Sequence, residues 1–257
     1  MTAISRKEIR DLLIAKHDQY NTPAFISGDP IQVPHSFSIR EDIEIAAFLT
    51  ATIAWGNRAS IIKSANSLMD RMDRSPCEFV RSAASSDLER LDGFVHRTFN
   101  SADLAWVIQG LRRIYNDHGG LEMVFAEGFR KGGAFGSLSH FRKIMVSSGL
   151  PGRSSKHVSD VEKGSAAKRL NLFLMWMVRK DRQGVHFGLW DEIPSSGLMI
   201  PLDTHVGRVA RSLGMLKRNS NDWQAVEELT AELRKIDPED PCRFDFSLFG
   251  LGLFDHF

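Results

Sequence analysis

Apolar residues recur along most of this chain at the three- and four-residue spacing of helices, and almost nowhere at the two-residue spacing of strands. The pattern predicts an all-α protein. Ile9, Leu12, Leu13 and Lys16 follow helical spacing over 5–20, with Ser5 placed to cap the start. Residues 21–34, with Pro23, Pro30 and Pro34, read as a loop. Over 39–55, Ile43, Ala46, Ala47, Leu49, Thr50, Ile53 and Ala54 leave almost no polar face, which predicts a helix buried between layers. Gly56-Asn57 breaks it, and 58–72 starts a second helix with Ile61, Ile62, Ala65, Leu68 and Met69 on one side. Ser75-Pro76 opens a short helix through Val80, and 83–98 is part helix and part loop.

The second half continues in the same way. Residues 103–115 are amphipathic and end at His118-Gly119-Gly120. Helices over 121–129 and 134–146 are separated by Lys131-Gly132-Gly133. Further helices are predicted over 165–179, 204–215 and 221–235, with an apolar finish over 244–254. The longest polar connector, 147–164, is the natural boundary between two lobes of one domain spanning 1–257, or a substrate-facing loop.

Composition narrows the classes. With 257 residues, 42% hydrophobic and 25% charged, the chain can build a real core and is not a disordered protein. The net charge is +1, so an anionic partner must be met by a local patch. Basic residues do gather over 142–182, opposed there by Asp160, Glu162 and Asp181; a solvated face and a binding surface both fit that cluster. Cys77 and Cys242 form no CxxC pair, which excludes cysteine-based zinc and iron–sulfur sites and suits a reduced compartment. The nine histidines show no HxxxH spacing, so neither a metal nor another cofactor is implied. The charged, amphipathic start is unlike a signal peptide, and no apolar run approaches the roughly 20 residues of a membrane span. The expected location is cytoplasmic, and nucleoid-associated in a bacterial host.

Two segments carry chemistry. Gly164 to Leu174 puts Lys168 in the opening turn of an apolar helix, and Ile200 to Val209 puts Asp203 at the mouth of another. A helix N-terminus and the neighbouring Arg169 both disfavour an ammonium and favour the free amine a nucleophile needs. The plainer account of Lys168 is a solvated helix lysine. Asp203 before Thr204-His205-Val206 reads as an N-cap, a role that also keeps a carboxylate placed and charged. A lysine and an aspartate facing one cleft suit covalent amine chemistry.

These residues resemble the helix-hairpin-helix DNA glycosylase superfamily of the endonuclease III type. In that family a Gly-x-x-Lys-x-x-Asn-like segment opens the second helix of the hairpin, and a Val-Asp-Thr-His-Val-x-Arg-Val-like segment follows. Lys168 falls on the family's nucleophilic lysine and Asp203 on its catalytic aspartate. Phe48 to Thr52 resembles the Leu-Leu-Ser-Ala-Gln segment that lies close to DNA. The whole chain also resembles an uncharacterised bacterial family placed near the archaeal 8-oxoguanine glycosylases. The resemblance implies a two-lobed helical fold with a cleft between lobes, damaged duplex DNA as partner, and excision of an oxidised purine such as 8-oxoguanine with associated AP-lyase activity. A catalytically idle nucleic-acid-binding module on the same fold is the alternative.

Several positions depart from the family pattern. The hairpin, usually Leu-Pro-Gly-x-Gly, is Val161-Glu162-Lys163-Gly164-Ser165. Asp203 follows Lys168 by 35 residues, a longer gap than in the common members and one that favours the archaeal branch. Thr52 stands where a strand-probing glutamine is frequent, and the family's cluster cysteines are missing. The further candidates for contact with DNA or a base are Trp55, Asn57, Arg58, Lys163, Ser165, Arg169, Asn171 and His205. Trp55 is either a core tryptophan or a stacking platform, and Trp176 reads as core. Asn171, one turn past Lys168, either orients the lysine or is an exposed helix residue. His205 could move protons or face solvent, and His157 could touch phosphate. Asp42 and Glu44 suit the positive end of the helix over 39–55.

Overall fold

Local caps open several of the long helices, and they do so where the sequence supplies Ser, Asn or Asp. The computed structural model describes residues 5–147, 153–255 and 257. Residues 1–4 of the amphipathic start and 148–152 of the polar connector lie outside the described residues. Helix α1 (Arg6–Tyr20) opens on a capping box, in which the Ser5 hydroxyl accepts the Glu8 N–H and the Glu8 carboxylate accepts the Ser5 N–H. The expected loop over 21–34 contains the single turn α2 (Ala24–Ser27) and two 3-10 turns that begin on Pro30 and Pro34. Helix α3 (Arg40–Thr52) is buried on nearly every side. Asn57 caps α4 (Arg58–Arg71), and Pro76 is the first residue of α5 (Pro76–Ser82).

The weak stretch over 83–98 becomes the single turn α6 (Ser85–Leu88), a 3-10 turn and the first half of a small hairpin. Its strands β1 (Val95–His96) and β2 (Phe99–Asn100) pair antiparallel, with His96 opposite Phe99. Helix α7 (Ser101–Asp117) carries a second capping box, Asn100 with Asp103. Helix α8 (Leu121–Val146) is two helices joined at Gly132 and Gly133, both of which leave helical geometry. The remaining helices are α9 (Lys168–Val178), α10 (Thr204–Ser212), α11 (Trp223–Arg234) and α12 (Asp245–Leu253). The chain is mostly helical, and no described helix is long and apolar enough to cross a membrane.

The chain forms two compact units. One is continuous, 26–160, and the other joins 1–25 to 161–257. The second crossing, at Asp160–Val161, falls inside the polar connector. The return of α1 to the C-terminal part of the chain is a long-range feature without a local signal.

In the continuous unit, α3 supplies Ile45, Ala46, Phe48 and Leu49 to a core shared with Leu68, Leu111, Phe125 and Phe141. The two early acids of α3 have tertiary partners. Asp42 accepts the Cys77 N–H at 2.8 Å and so caps α5 from another helix, and Glu44 accepts the Tyr115 hydroxyl at 2.7 Å. The two halves of α8 fold on each other. Phe125 stacks on Phe141 at 4.4 Å, and the Ser137 hydroxyl donates to the Phe125 carbonyl.

In the discontinuous unit, α9 lies in a core with Phe173, Met177, Trp190, Val209 and Leu229. The last carbonyls of α9 are taken up by a returning segment: the Phe187 N–H donates to Trp176 and the Leu189 N–H to Met177. Helix α1 is held to α12 by a Ser247 hydroxyl bond to the Leu13 carbonyl at 2.6 Å, and Asp255 takes both Lys16 and the Tyr20 hydroxyl. Behind α9, the Arg179 guanidinium is 1% exposed and bidentate on Asp240, with His186 at 2.7 Å.

Candidate functional site

The lysine helix begins three residues later than its sequence pattern suggests, and the delay shapes the site. Val161 to Gly164 makes a turn, with the Gly164 N–H on the Val161 carbonyl and Gly164 at φ 81°. Ser165 then pairs with Asp222 in an antiparallel bridge, and the Trp223 N–H donates to the Gly164 carbonyl at 3.0 Å. Extended pairing is incompatible with helical backbone, so α9 starts at Lys168. The Ser165 hydroxyl accepts the Ala167 N–H at 3.2 Å, and Ala167 takes the left-handed conformation, φ 47° and ψ 35°. That conformation is costly for a residue with a Cβ. Asn171 helps hold it: its amide donates to the Ala166 carbonyl at 3.1 Å.

Asp203 is the N-cap of α10, as its sequence neighbours suggest. Its Oδ1 accepts the Val206 N–H at 2.9 Å, and its carbonyl accepts the Gly207 N–H at 2.9 Å. The second carboxylate oxygen points to the lysine. Lys168 Nζ lies 3.8 Å from Asp203 Oδ2, with the lysine side chain 31% exposed and the aspartate 20%. The two groups that the sequence places 35 residues apart therefore meet, on one unit and within reach of solvent.

The charge around the pair is mixed. Arg169 is half-buried, and burial pushes its guanidinium down to about 10. Asp222 is held below the usual carboxylate range by the Arg218 guanidinium, with further hydrogen bonds from the Ala225 N–H and the Ser220 hydroxyl. Lys163 and His205 are exposed.

Other expected site residues have different surroundings. Asn171 is 1% exposed, so it is a buried residue beside the Lys168 turn and not an exposed helix position. Asn57 is engaged as the cap of α4, where its side chain accepts the Ser60 N–H. Arg58 sits 3.7 Å from Asp29 in the same unit. Trp55 is half-buried, with His96 edge-on at 5.3 Å and His157 stacked at 6.2 Å. His157 is buried, not poised over solvent for a phosphate; its Nε2 lies 3.2 Å from Asp103 Oδ2. Burial raises the Asp103 carboxyl, but bonds from the Ser154 hydroxyl and the Asn100 N–H, with His157 and Arg153 nearby, outweigh that and hold it low. Trp176 is core.

Three residues that the sequence offers no reason to single out tie the site together. Asn221, Asp222 and Trp223 read as the start of α11, and Asp222 does cap it. The same tripeptide holds both the Lys168 and the Asp203 segments: Asp222 and Trp223 pair with Ser165 and Gly164, and the Asn221 amide donates to the Asp203 carbonyl at 3.0 Å. Among the described residues no cluster of His, Cys, Asp and Glu is arranged to hold a metal ion.

Residues 29–254 match the family described as "Protein of unknown function (DUF2400)", a span that contains Lys168, Asp203 and the tripeptide. No curated protein and no solved structure matches the chain.

Proposed function

The chain belongs to the DUF2400 family, and we propose that it is a DNA base-excision glycosylase with AP-lyase activity, acting on an oxidised purine such as 8-oxoguanine in duplex DNA. The observation that carries the reading is the 3.8 Å approach of Lys168 Nζ to Asp203 Oδ2 at a solvent-accessible position. The helix-hairpin-helix glycosylase type of fold belongs to the same proposal. It is supported by the mostly helical chain and by the order of lysine helix and capping aspartate.

The chemistry follows from the two groups. The target nucleotide must leave the base stack before its glycosidic bond can be reached. The Lys168 amine attacks C1′ of the sugar, a C–N bond to lysine forms, and the bond to the base breaks. The departing base carries away the electron pair and takes up a proton. The Asp203 carboxylate stabilises the positive charge that develops on the sugar and accepts the proton released by the attacking amine. Ring opening gives an imine between Lys168 and the sugar. Loss of a proton from C2′ then expels the 3′ phosphate by β-elimination, and water releases the enzyme. An amine is required for the imine, which a hydroxyl nucleophile could not form.

The test is borohydride trapping on duplexes carrying an abasic site, 8-oxoguanine, uracil or no lesion. The expected result is a covalent adduct on the abasic and 8-oxoguanine duplexes that is lost in Lys168→Ala, with the fold of the variant intact by circular dichroism. One observation favours the second reading, an idle nucleic-acid-binding module. The hairpin before α9 has a single glycine, and the element preceding it is a four-residue 3-10 turn, Ser154–His157. Binding to DNA at low salt with no adduct on any duplex would select that reading.

A further inference from the structure

Asn221 touches the backbone of Asp203, the residue whose carboxylate faces the Lys168 amine. The Asp203 carbonyl accepts two hydrogen bonds, from the Gly207 N–H at 2.9 Å and from the Asn221 side-chain amide at 3.0 Å. The other end of that amide is fixed as well: Asn221 Oδ1 accepts Arg211 Nη2 at 2.6 Å. Arg211 in turn is anchored on the carbonyls of Arg218 and Ser220. The space for this arrangement comes from Gly207. A Cβ there would lie 2.7 Å from Arg211 Nη1 and 2.8 Å from Asn221 Oδ1. The residues after Asn221 hold the lysine side, through the Asp222–Ser165 bridge and the Trp223 bond to Gly164. One side chain and the two residues that follow it therefore set where the Asp203 carboxylate stands relative to Lys168.

We infer that Asn221 is a positioning residue for the Lys168–Asp203 pair: it acts through the Asp203 backbone, is aligned by Arg211, and depends on the absence of a side chain at Gly207. This rests on the proposed lysine chemistry for its functional readout, though not for its geometry. Small displacements of reacting groups are expensive, and a misplacement of about 1 Å can cost on the order of a hundredfold in rate.

The experiment is a double-mutant cycle on the rate of borohydride capture, with DNA affinity measured separately. Asn221→Ala should slow capture by about tenfold with the DNA dissociation constant unchanged. Gly207→Ala, which keeps every polar group but displaces Asn221 and Arg211, should slow capture in the same direction. In an Asp203→Asn background, Asn221→Ala should add less than about twofold, because a carboxylate that is gone has no placement to lose. Equal slowing in both backgrounds, or no slowing in either, overturns the inference. A wild-type protein that forms no adduct removes the functional reading instead. The positioning claim is then read from the reactivity of the Lys168 amine toward trinitrobenzenesulfonate, followed by peptide mass. Asn221→Ala and Asp203→Asn should change that reactivity by the same factor, and the pair together by no more than either alone. Lys168 reactivity indifferent to Asn221→Ala overturns the claim.

Discussion

Asp203 faces Lys168 with one carboxylate oxygen and its own helix with the other. Oδ1 accepts the Val206 N–H at 2.9 Å, and Oδ2 stands 3.8 Å from Lys168 Nζ. The cap fixes the side-chain rotamer, and the fixed rotamer aims the free oxygen. The capping role and the proposed chemical role are thus separable by substitution. Asparagine caps a helix about as well as aspartate, so Asp203→Asn should leave stability within about 0.5 kcal/mol while slowing base release. Asp203→Ala should lose a further ~1 kcal/mol of stability. Urea denaturation beside single-turnover excision separates the two effects; an Asp203→Asn protein that excises at the wild-type rate would leave the carboxylate with capping alone.

The Arg179–Asp240 pair predicts an ordering. Arg179 is 1% exposed and Asp240 is 24% exposed as a side chain. Arg179→Met leaves behind a carboxylate that water can reach. Asp240→Ala leaves a guanidinium buried without its bidentate partner. Breaking a buried pair costs about 3–5 kcal/mol when the charge left behind cannot hydrate. Asp240→Ala should fall in that range and Arg179→Met below it, as chemical denaturation of both variants would read. The reverse order would mean that Asp181 and His186 compensate the arginine.

His17 makes stability depend on pH in a set direction. Burial lowers its affinity for a proton below the ordinary 6.5; the hydrogen bond to Asp18 opposes this, and Arg243 and Arg179 add to it. The imidazole therefore binds a proton less readily in the fold than in the unfolded chain. The unfolded state takes up more protons as pH falls below about 6.5, so stability is fully present above that pH and declines beneath it. The decline is at most about 1.4 kcal/mol per pH unit for one group. Thermal melts of wild type and His17→Gln between pH 7.5 and 5 should converge toward the acid end, and parallel curves would sink the assignment.

The hairpin inside α8 depends on close backbone approach. A Cβ on Gly128 would lie 2.5 Å from the Gly136 carbonyl oxygen, and one on Gly136 would meet the Gly128 carbonyl oxygen at the same distance. Backbone cannot swing aside as a long side chain does. Either glycine to alanine should cost about 1–3 kcal/mol by overpacking, measured by urea denaturation. Gly132→Ala, which meets nothing within 4 Å, should cost less.

What could be read from the chain alone was whatever is decided within one turn of helix. Ser5 at the start of α1 and Asp203 before Thr204 are caps, and a cap is an interaction of a residue with a backbone three positions on. Apolar spacing marked the helices for the same reason, and it identified α3 as buried because a helix without a polar face has nowhere else to go. The candidacy of Lys168 and Asp203 was legible as a pair of local motifs.

Tertiary structure decided everything that joins distant residues. Lys168 and Asp203 meet beside Asn221 to Trp223, which lie 18 residues and more beyond Asp203 and bond to both segments. The start of α9 moved to Lys168 because Ser165 is claimed by Asp222, and no local propensity reports that claim. Asn171 looked as fit for solvent as for the interior, and its burial follows from packing of α9. His157 turned inward because Asp103, on another helix, takes it. Helix α1 joined the far end of the chain because Leu13 and Asp255 meet partners more than two hundred residues away. Sequence spacing carries information about contacts within a few residues; contacts across the chain are set by which apolar faces can be buried together, and only the folded backbone settles that.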